Sequence, residues 1–131
     1  MSYRLMFMIN AIVCAVFGAV FLVAPKSILF FFDMTDAIVA TQPIARFFGG
    51  ALIVTAALLW FLQEGGKELQ KTHAITMMVA SIGGFILTIM GMFSDKVIRA
   101  NGWIPLVVYF LFAVGYAYLV FGVKVTVKKK K

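Results

Sequence analysis

Four apolar blocks, each about as long as a bilayer-spanning helix, constrain this chain more than any other feature. They cover residues 5–24, 44–62, 74–93 and 103–123. A spanning helix needs about 20 mainly apolar residues, whereas a soluble domain of this size could not bury so much apolar surface. The blocks are apolar all round instead of alternating, which favours helices over barrel strands. The predicted fold is all-α: one polytopic membrane domain with a bundle of four transmembrane helices.

Basic residues flank these blocks and predict the orientation of the chain. The net charge of +7 does not indicate nucleic-acid binding here, because the Lys and Arg residues lie at block ends, as expected for membrane topology. With four spans both termini lie on one side, and the excess of basic residues there predicts that both are cytoplasmic. Residues 124–131 form a basic tail, and we expect its lysines to contact anionic lipid headgroups. Those lysines are Lys124, Lys128, Lys129, Lys130 and Lys131.

The first loop, residues 26–42, is more apolar than a simple linker. Residues Ile28–Phe32 are consecutive and apolar, too short to span and typical of an interfacial or re-entrant segment. Such a segment either caps the bundle or acts as a gate or docking surface for another protein. Asp33 and Asp36 follow and would share a helix face. Candidate partners for their carboxylates are Lys26, Arg46 and a bound cation.

Few polar side chains lie at membrane depth. Arg46 is only a few residues into the second block, where it either snorkels toward the headgroups or faces the bundle and pairs with a carboxylate or a ligand. Asn10 lies about one turn inside the first block, where an interhelical hydrogen bond is a more usual role than a substrate contact. Side-chain hydroxyls are expected to bond to the backbone of their own helix at Thr55, Thr76, Ser81 and Thr88. Tyrosines that could line a polar path are Tyr109, Tyr116 and Tyr118.

Small residues recur along the blocks and predict close helix packing, within the bundle or between molecules. They include Ala11, Ala15 and Ala19, then Ala80, Gly84 and Thr88, and also Gly49, Gly50 and Gly83.

Sequence motifs for catalysis are missing. The chain has one histidine, His73, and one cysteine, Cys14, which cannot form a zinc, haem or iron–sulfur framework. The sequence contains no dinucleotide-binding, Walker, metalloprotease or nucleophile-elbow motif. We therefore expect a chain that is not catalytic on its own and that binds no cofactor or metal.

A short motif carries a resemblance to a known family. Residues 46–51 read R-F-F-G-G-A and follow a first block that ends near Pro25. This pattern resembles the small four-helix membrane proteins of the DoxX-like kind over about the first half of the chain. Some relatives are small subunits of membrane redox complexes that deliver electrons to quinone. The resemblance implies an accessory role, and no redox residue here matches one of theirs.

These observations predict a non-catalytic accessory or assembly subunit of a larger membrane complex. Its partners would be the lipid bilayer and other membrane subunits, contacted through helix and first-loop surfaces, without nucleic acid. The alternative is a small homo-oligomeric transporter or channel, and a further alternative is a lipid-modifying membrane enzyme.

Overall fold

The computed structural model describes residues 2–34, 41–94 and 97–122. It confirms the all-α fold, with helices α1 (Tyr3–Val23), α2 (Pro25–Phe31), α3 (Thr41–Leu62), α4 (Lys67–Ile89) and α5 (Trp103–Ala117). Helices α4 and α5 continue as π-helical turns, Met90–Ser94 and Tyr118–Gly122. Four of the helices are long and apolar enough to cross a bilayer, and the chain is an integral membrane protein. The side of the membrane on which the termini lie stays a prediction.

The helix ends follow local sequence signals. The backbone N–H of Leu5 donates to the hydroxyl of Ser2, which caps α1. Pro25 occupies the first turn of α2, where its missing N–H costs nothing, so it starts a short helix directly after α1 instead of only ending α1. Helix α4 starts at Lys67, seven residues before its apolar block, because its first two turns are polar and extend beyond the apolar region.

The bundle has two distinct ends. The terminal end holds the start of α1, the end of α5 and the turn between α3 and α4. Here the Tyr3 hydroxyl donates to the carbonyl oxygen of Leu119 at 2.9 Å. The loop end holds α2 and the segment that joins α4 to α5. At this end the backbone N–H of Arg99 donates to the carbonyl oxygen of Phe32 at 3.2 Å.

The four long helices are arranged as two pairs. Helix α1 packs along α3, α4 packs along α5, and contacts between the pairs are sparse. Gly18 and Gly49 mark the closest approach of α1 to α3, since a Cβ added to either would lie within 3 Å of the other's carbonyl oxygen. Small residues permit such approaches between membrane helices, where no hydrophobic effect drives association. Beside them Phe21 and Phe48 pack edge to face, 5.1 Å apart.

The two pairs meet in a core at the terminal end. Its most buried side chains come from both pairs: Phe7 from α1, Leu59 from α3, Ala74 from α4, and Tyr116 from α5. Partly buried residues such as Met78 pack around them. Toward the loop end the pairs do not share a comparable core, so space opens between them.

Helix α2 ends in a Schellman motif centred on Asp33. The Asp33 backbone has φ 51°, in the left-handed region. Its N–H donates to the carbonyl of Phe30, and the N–H of Met34 donates to the carbonyl of Leu29, both at 2.9 Å. These two bonds define the motif, and Asp is one of the few non-glycine residues that adopts this conformation readily. Asp33 therefore has a backbone role in ending α2.

Three donors from residues 99–101 hold the end of α2. The N–H groups of Arg99 and Ala100 donate to the carbonyl of Phe32 at 3.2 and 3.3 Å. The Asn101 side-chain amide donates to the carbonyl of Phe31 at 2.8 Å. Carbonyl groups at a helix C-terminus have no intrahelical partner, so these bonds satisfy them and fix α2 against the loop end of α4 and α5.

Candidate functional site

A partly open cavity of about 590 Å³ lies between the two helix pairs, on the loop-end side of the core. All four long helices, α2 and the segment before α5 contribute to its wall. The side chains along the wall are aliphatic, aromatic, thioether, hydroxyl, thiol or amide, and the described lining carries no charged group. Helices α3 and α4 make little contact despite being adjacent in sequence, which leaves the space between the pairs incompletely closed.

The floor of the cavity is a small polar cluster at the edge of the core. The Asn10 amide nitrogen lies 2.8 Å from the Tyr116 hydroxyl oxygen, and the Cys14 sulfur lies 3.4 Å from the Asn10 amide oxygen. Asn10 is 6% exposed and Tyr116 is fully buried. This cluster, hereafter the floor cluster, joins the first helix to the last.

The hydroxyl groups of the spans are held by their own helices. Thr55, Ser81 and Thr88, which line the cavity, each donate to the carbonyl four residues earlier, at 2.7 to 2.9 Å. Thr76 makes the same bond at 3.2 Å. The predicted bonding of these hydroxyls to their own helices is thus confirmed, and it reduces the polarity of the wall.

Tyr109 forms part of the wall by lying directly on Gly84. A Cβ added to Gly84 would come within 2.5 Å of the Tyr109 ring, so only glycine allows the ring this position. Tyr109 lines the cavity and is partly buried. The absence of a side chain at Gly84 therefore allows the Tyr109 ring to lie where it does in the cavity wall.

The loop end of the cavity lies against α2. Leu29, Phe32 and Met34 line it there, and they belong to or directly follow the helix held by residues 99–101. Ile98 and Pro105, from the segment before α5 and from its first turn, also line the cavity. The apolar first loop predicted from the sequence thus supplies part of the cavity wall.

The predicted polar site residues that the structure describes are not brought together. Asn10 lies in the floor cluster, whereas Asp33 and Arg46 are exposed and do not line the cavity. Among the described residues no ion pair joins Asp33 to Arg46. Asp36 and the lysines at 124 and 128–131 lie outside the described residues. Within the described part of the chain, no group of three His, Cys, Asp or Glu side chains could hold a metal ion.

Sequence reasoning missed how the floor cluster is assembled. It gave Asn10 an interhelical hydrogen bond, which the structure shows, but it did not identify Tyr116 as the partner. It assigned no role to Cys14, whereas the thiol lines the cavity next to Asn10. The spacing of Asn10 and Cys14, four residues apart on one helix face, is the signal that could have linked them.

No protein-family model, curated protein or solved structure matches this chain. The resemblance to DoxX-like proteins therefore stays a prediction from the motif at residues 46–51.

Proposed function

We propose that this chain is a non-catalytic membrane protein that holds one apolar molecule, drawn from the bilayer, in the cavity between its helix pairs. The observation that carries the proposal is the cavity itself, with its volume of about 590 Å³ and its uncharged lining. Pockets for small organic ligands usually measure about 300–1,000 Å³ and are mostly apolar with a few polar groups. An apolar molecule in this cavity would replace lipid contacts with protein contacts on several sides.

The closed terminal end favours binding over conduction. A continuous pore would have to pass the core, where Phe7, Leu59, Tyr116 and Leu119 are all less than 2% exposed. The cavity is thus a pocket with one closed end. This geometry supports a binding protein more than it supports the channel considered from the sequence.

The chemistry of the lining favours binding over reaction. General acid–base catalysis relies mainly on His, Asp, Glu, Lys, Tyr or Cys side chains, and the described lining offers only Cys14 and Tyr109 among these. Cys14 is next to the amide of Asn10 and not next to a base. This arrangement gives the lipid-modifying enzyme the least support of the alternatives.

The accessory-subunit role predicted from the sequence is compatible with this proposal. It would place the binding protein beside a partner in the membrane. A subunit that holds an apolar molecule could present it to a partner in the membrane. Phe47 and Phe61 on α3 are 79% and 75% exposed, so α3 offers an apolar surface to lipid or to another subunit. Membership of a larger complex remains our prediction.

Photolabelling with a long-chain alkyl diazirine tests the proposed function. In phosphatidylcholine nanodiscs the probe labels lipid-facing residues without saturation, whereas a site gives a saturable component. We expect saturable labelling of cavity residues, which unlabelled hexadecane displaces. Labelling that rises in proportion to probe at every position would contradict the proposal.

Two matched variants locate the site. Ala80 lines the cavity, so Ala80→Phe should fill part of it and weaken saturable labelling roughly tenfold, equivalent to about 1.4 kcal/mol. Ala57 is exposed on α3 and is not part of the lining, so Ala57→Phe adds the same group outside the cavity. It should leave the saturable component unchanged.

A further inference from the structure

The floor cluster has more polar hydrogen atoms available for donation than it has hydrogen bonds. Every fully buried side-chain nitrogen or oxygen among the described residues has a partner atom. However, the Asn10 amide nitrogen carries two hydrogens and donates one bond, to Tyr116. Its second N–H has no acceptor within the described chain.

This surplus does not depend on how the amide is turned. If the amide is rotated by half a turn, Tyr116 donates to the Asn10 oxygen, and the nitrogen faces the Cys14 sulfur, a weak acceptor. The nitrogen still has two hydrogens and one partner. Since Asn10 is 6% exposed and lines the cavity, its spare N–H is a buried donor beside the space where a ligand would lie.

A buried donor without an acceptor is unfavourable, more so at membrane depth, where the surroundings are apolar. A hydrocarbon in the cavity would leave this donor unsatisfied. A ligand with a hydroxyl or carbonyl oxygen at one end would satisfy it. An anionic or cationic end group would be disfavoured, because the described lining provides no opposite charge and isolated charge inside a membrane is costly.

The dimensions of the cavity suit one extended chain. Along α1 the lining runs from Asn10 to Phe21, which at 1.5 Å per residue is about 16 Å. An extended chain advances about 1.2 Å per bond, so roughly a dozen carbon atoms fit between the floor cluster and the level of Phe21. The far end of the chain would then lie beside Leu29, Phe32 and Met34, which line the loop end of the cavity.

Resting on the proposed function, we infer that the ligand is a neutral single-chain lipid whose terminal hydroxyl or carbonyl oxygen accepts a hydrogen bond from the Asn10 amide. The polar end lies at the floor cluster, and the alkyl chain extends to the loop end of the cavity, against α2. Asn10 is then the residue that distinguishes such a lipid from a plain hydrocarbon of equal length.

Competition between two matched ligands tests this inference. Cetyl alcohol and hexadecane differ by one hydroxyl group, and each is titrated against saturable labelling by the alkyl diazirine in phosphatidylcholine nanodiscs. We expect cetyl alcohol to compete at roughly threefold to tenfold lower concentration in the wild-type protein, the range of one hydrogen bond within a membrane. Palmitate at a pH where its carboxylate is ionised should compete more weakly than the alcohol.

Variants test whether the preference for cetyl alcohol over hexadecane depends on Asn10. Comparing them with the wild type also corrects for the different partitioning of the two ligands into lipid, which is the same for every variant. Asn10→Leu should abolish the preference for the alcohol while hexadecane still competes. The double variant Asn10→Leu/Tyr116→Phe, which removes the hydroxyl that the first change orphans, should behave in the same way.

The outcomes separate this inference from the proposed function. If the probe shows no saturable labelling, both fail. If hexadecane and cetyl alcohol compete equally in the wild type, or if the preference survives Asn10→Leu, the cavity binds apolar molecules but the role of Asn10 is overturned. If a protein segment that co-purifies with the chain displaces the probe, and neither ligand does, the assignment of the ligand as a lipid is also overturned.

Discussion

The side-chain amide of Asn10 and the hydroxyl of Tyr116 lie 2.8 Å apart although 106 positions separate them in the chain. This hydrogen bond joins α1 to α5, and therefore one helix pair to the other. It also marks the boundary between the packed core at the terminal end and the open cavity at the loop end. The same contact thus contributes to both the stability of the bundle and the floor of the candidate site.

Stability should reflect this bond in a double-mutant cycle. We expect Asn10→Leu and Tyr116→Phe each to destabilise the bundle, and the double variant to lose less than the sum. The coupling energy should be about 0.6–1.7 kcal/mol, as for other hydrogen bonds between membrane helices. Equilibrium unfolding in mixed micelles measures it. Additive effects would show that the bond adds nothing to stability.

Adjacent glycines on α3 should respond very differently to a methyl group. In Gly49→Ala the added Cβ would lie 2.8 Å from the Gly18 carbonyl oxygen, and neither backbone can move without separating the helices. We expect a loss of about 1–3 kcal/mol, typical of overpacking. Gly50 has nothing within 4 Å of an added Cβ, so Gly50→Ala should be neutral or stabilising by up to about 1 kcal/mol.

The same unfolding measurement compares the two variants. Equal effects of Gly49→Ala and Gly50→Ala would contradict the close crossing of α1 and α3.

Gly84→Ala should affect ligand binding more than stability. Its Cβ would lie 2.5 to 2.8 Å from three atoms of the Tyr109 ring, so the ring has to change its position in the cavity wall. We expect saturable labelling by the alkyl diazirine to weaken severalfold while unfolding changes by only about 1 kcal/mol. Gly83→Ala is the matched control, because an added Cβ at Gly83 meets nothing within 4 Å. A Gly84→Ala protein with unchanged labelling would argue against Tyr109 as part of the binding wall.

Asp33 should affect the stability of α2 through its backbone conformation and not through the charge of its carboxylate. The Asp33 backbone has φ 51°, which glycine adopts more easily than Asp and valine adopts much less easily. In Asp33→Gly the free energy of opening α2, measured by amide hydrogen exchange, should therefore rise by about 0.5–1 kcal/mol. In Asp33→Val it should fall. Asp33→Asn removes the charge but keeps a residue that tolerates this conformation, so it should be close to neutral. A large loss in Asp33→Asn would instead point to an essential carboxylate.

The number and type of spans could be predicted from sequence because they depend only on runs of apolar residues. The pairing of the helices could not. In a membrane the lipid-facing and protein-facing sides of a helix are both apolar, so no pattern marks the packed face. The alanines at 11, 15 and 19 suggested a close approach, but the actual crossing uses Gly18, which the spacing of those alanines does not include.

Charge was a poor guide to the site for a similar reason. Arg46 and Asp33 stood out because charges near a membrane are rare, yet both are exposed at the loop end. The cavity is built from residues that look ordinary in sequence, such as Ala80, Val108 and Phe112. It arises because two helix pairs share a core at only one end, which is a property of the tertiary arrangement.

Alkylation of Cys14 tests the central claim most directly, since it is the only cysteine in the chain and lines the cavity. Hexadecane at about ten times its dissociation constant should slow the reaction with N-ethylmaleimide roughly tenfold in nanodiscs. As a control, the thiol introduced by Leu58→Cys in a Cys14→Ala background lies on an exposed face of α3, and its rate should not change. An unchanged rate at Cys14, or equal slowing at both positions, would contradict an apolar binding site between the helix pairs.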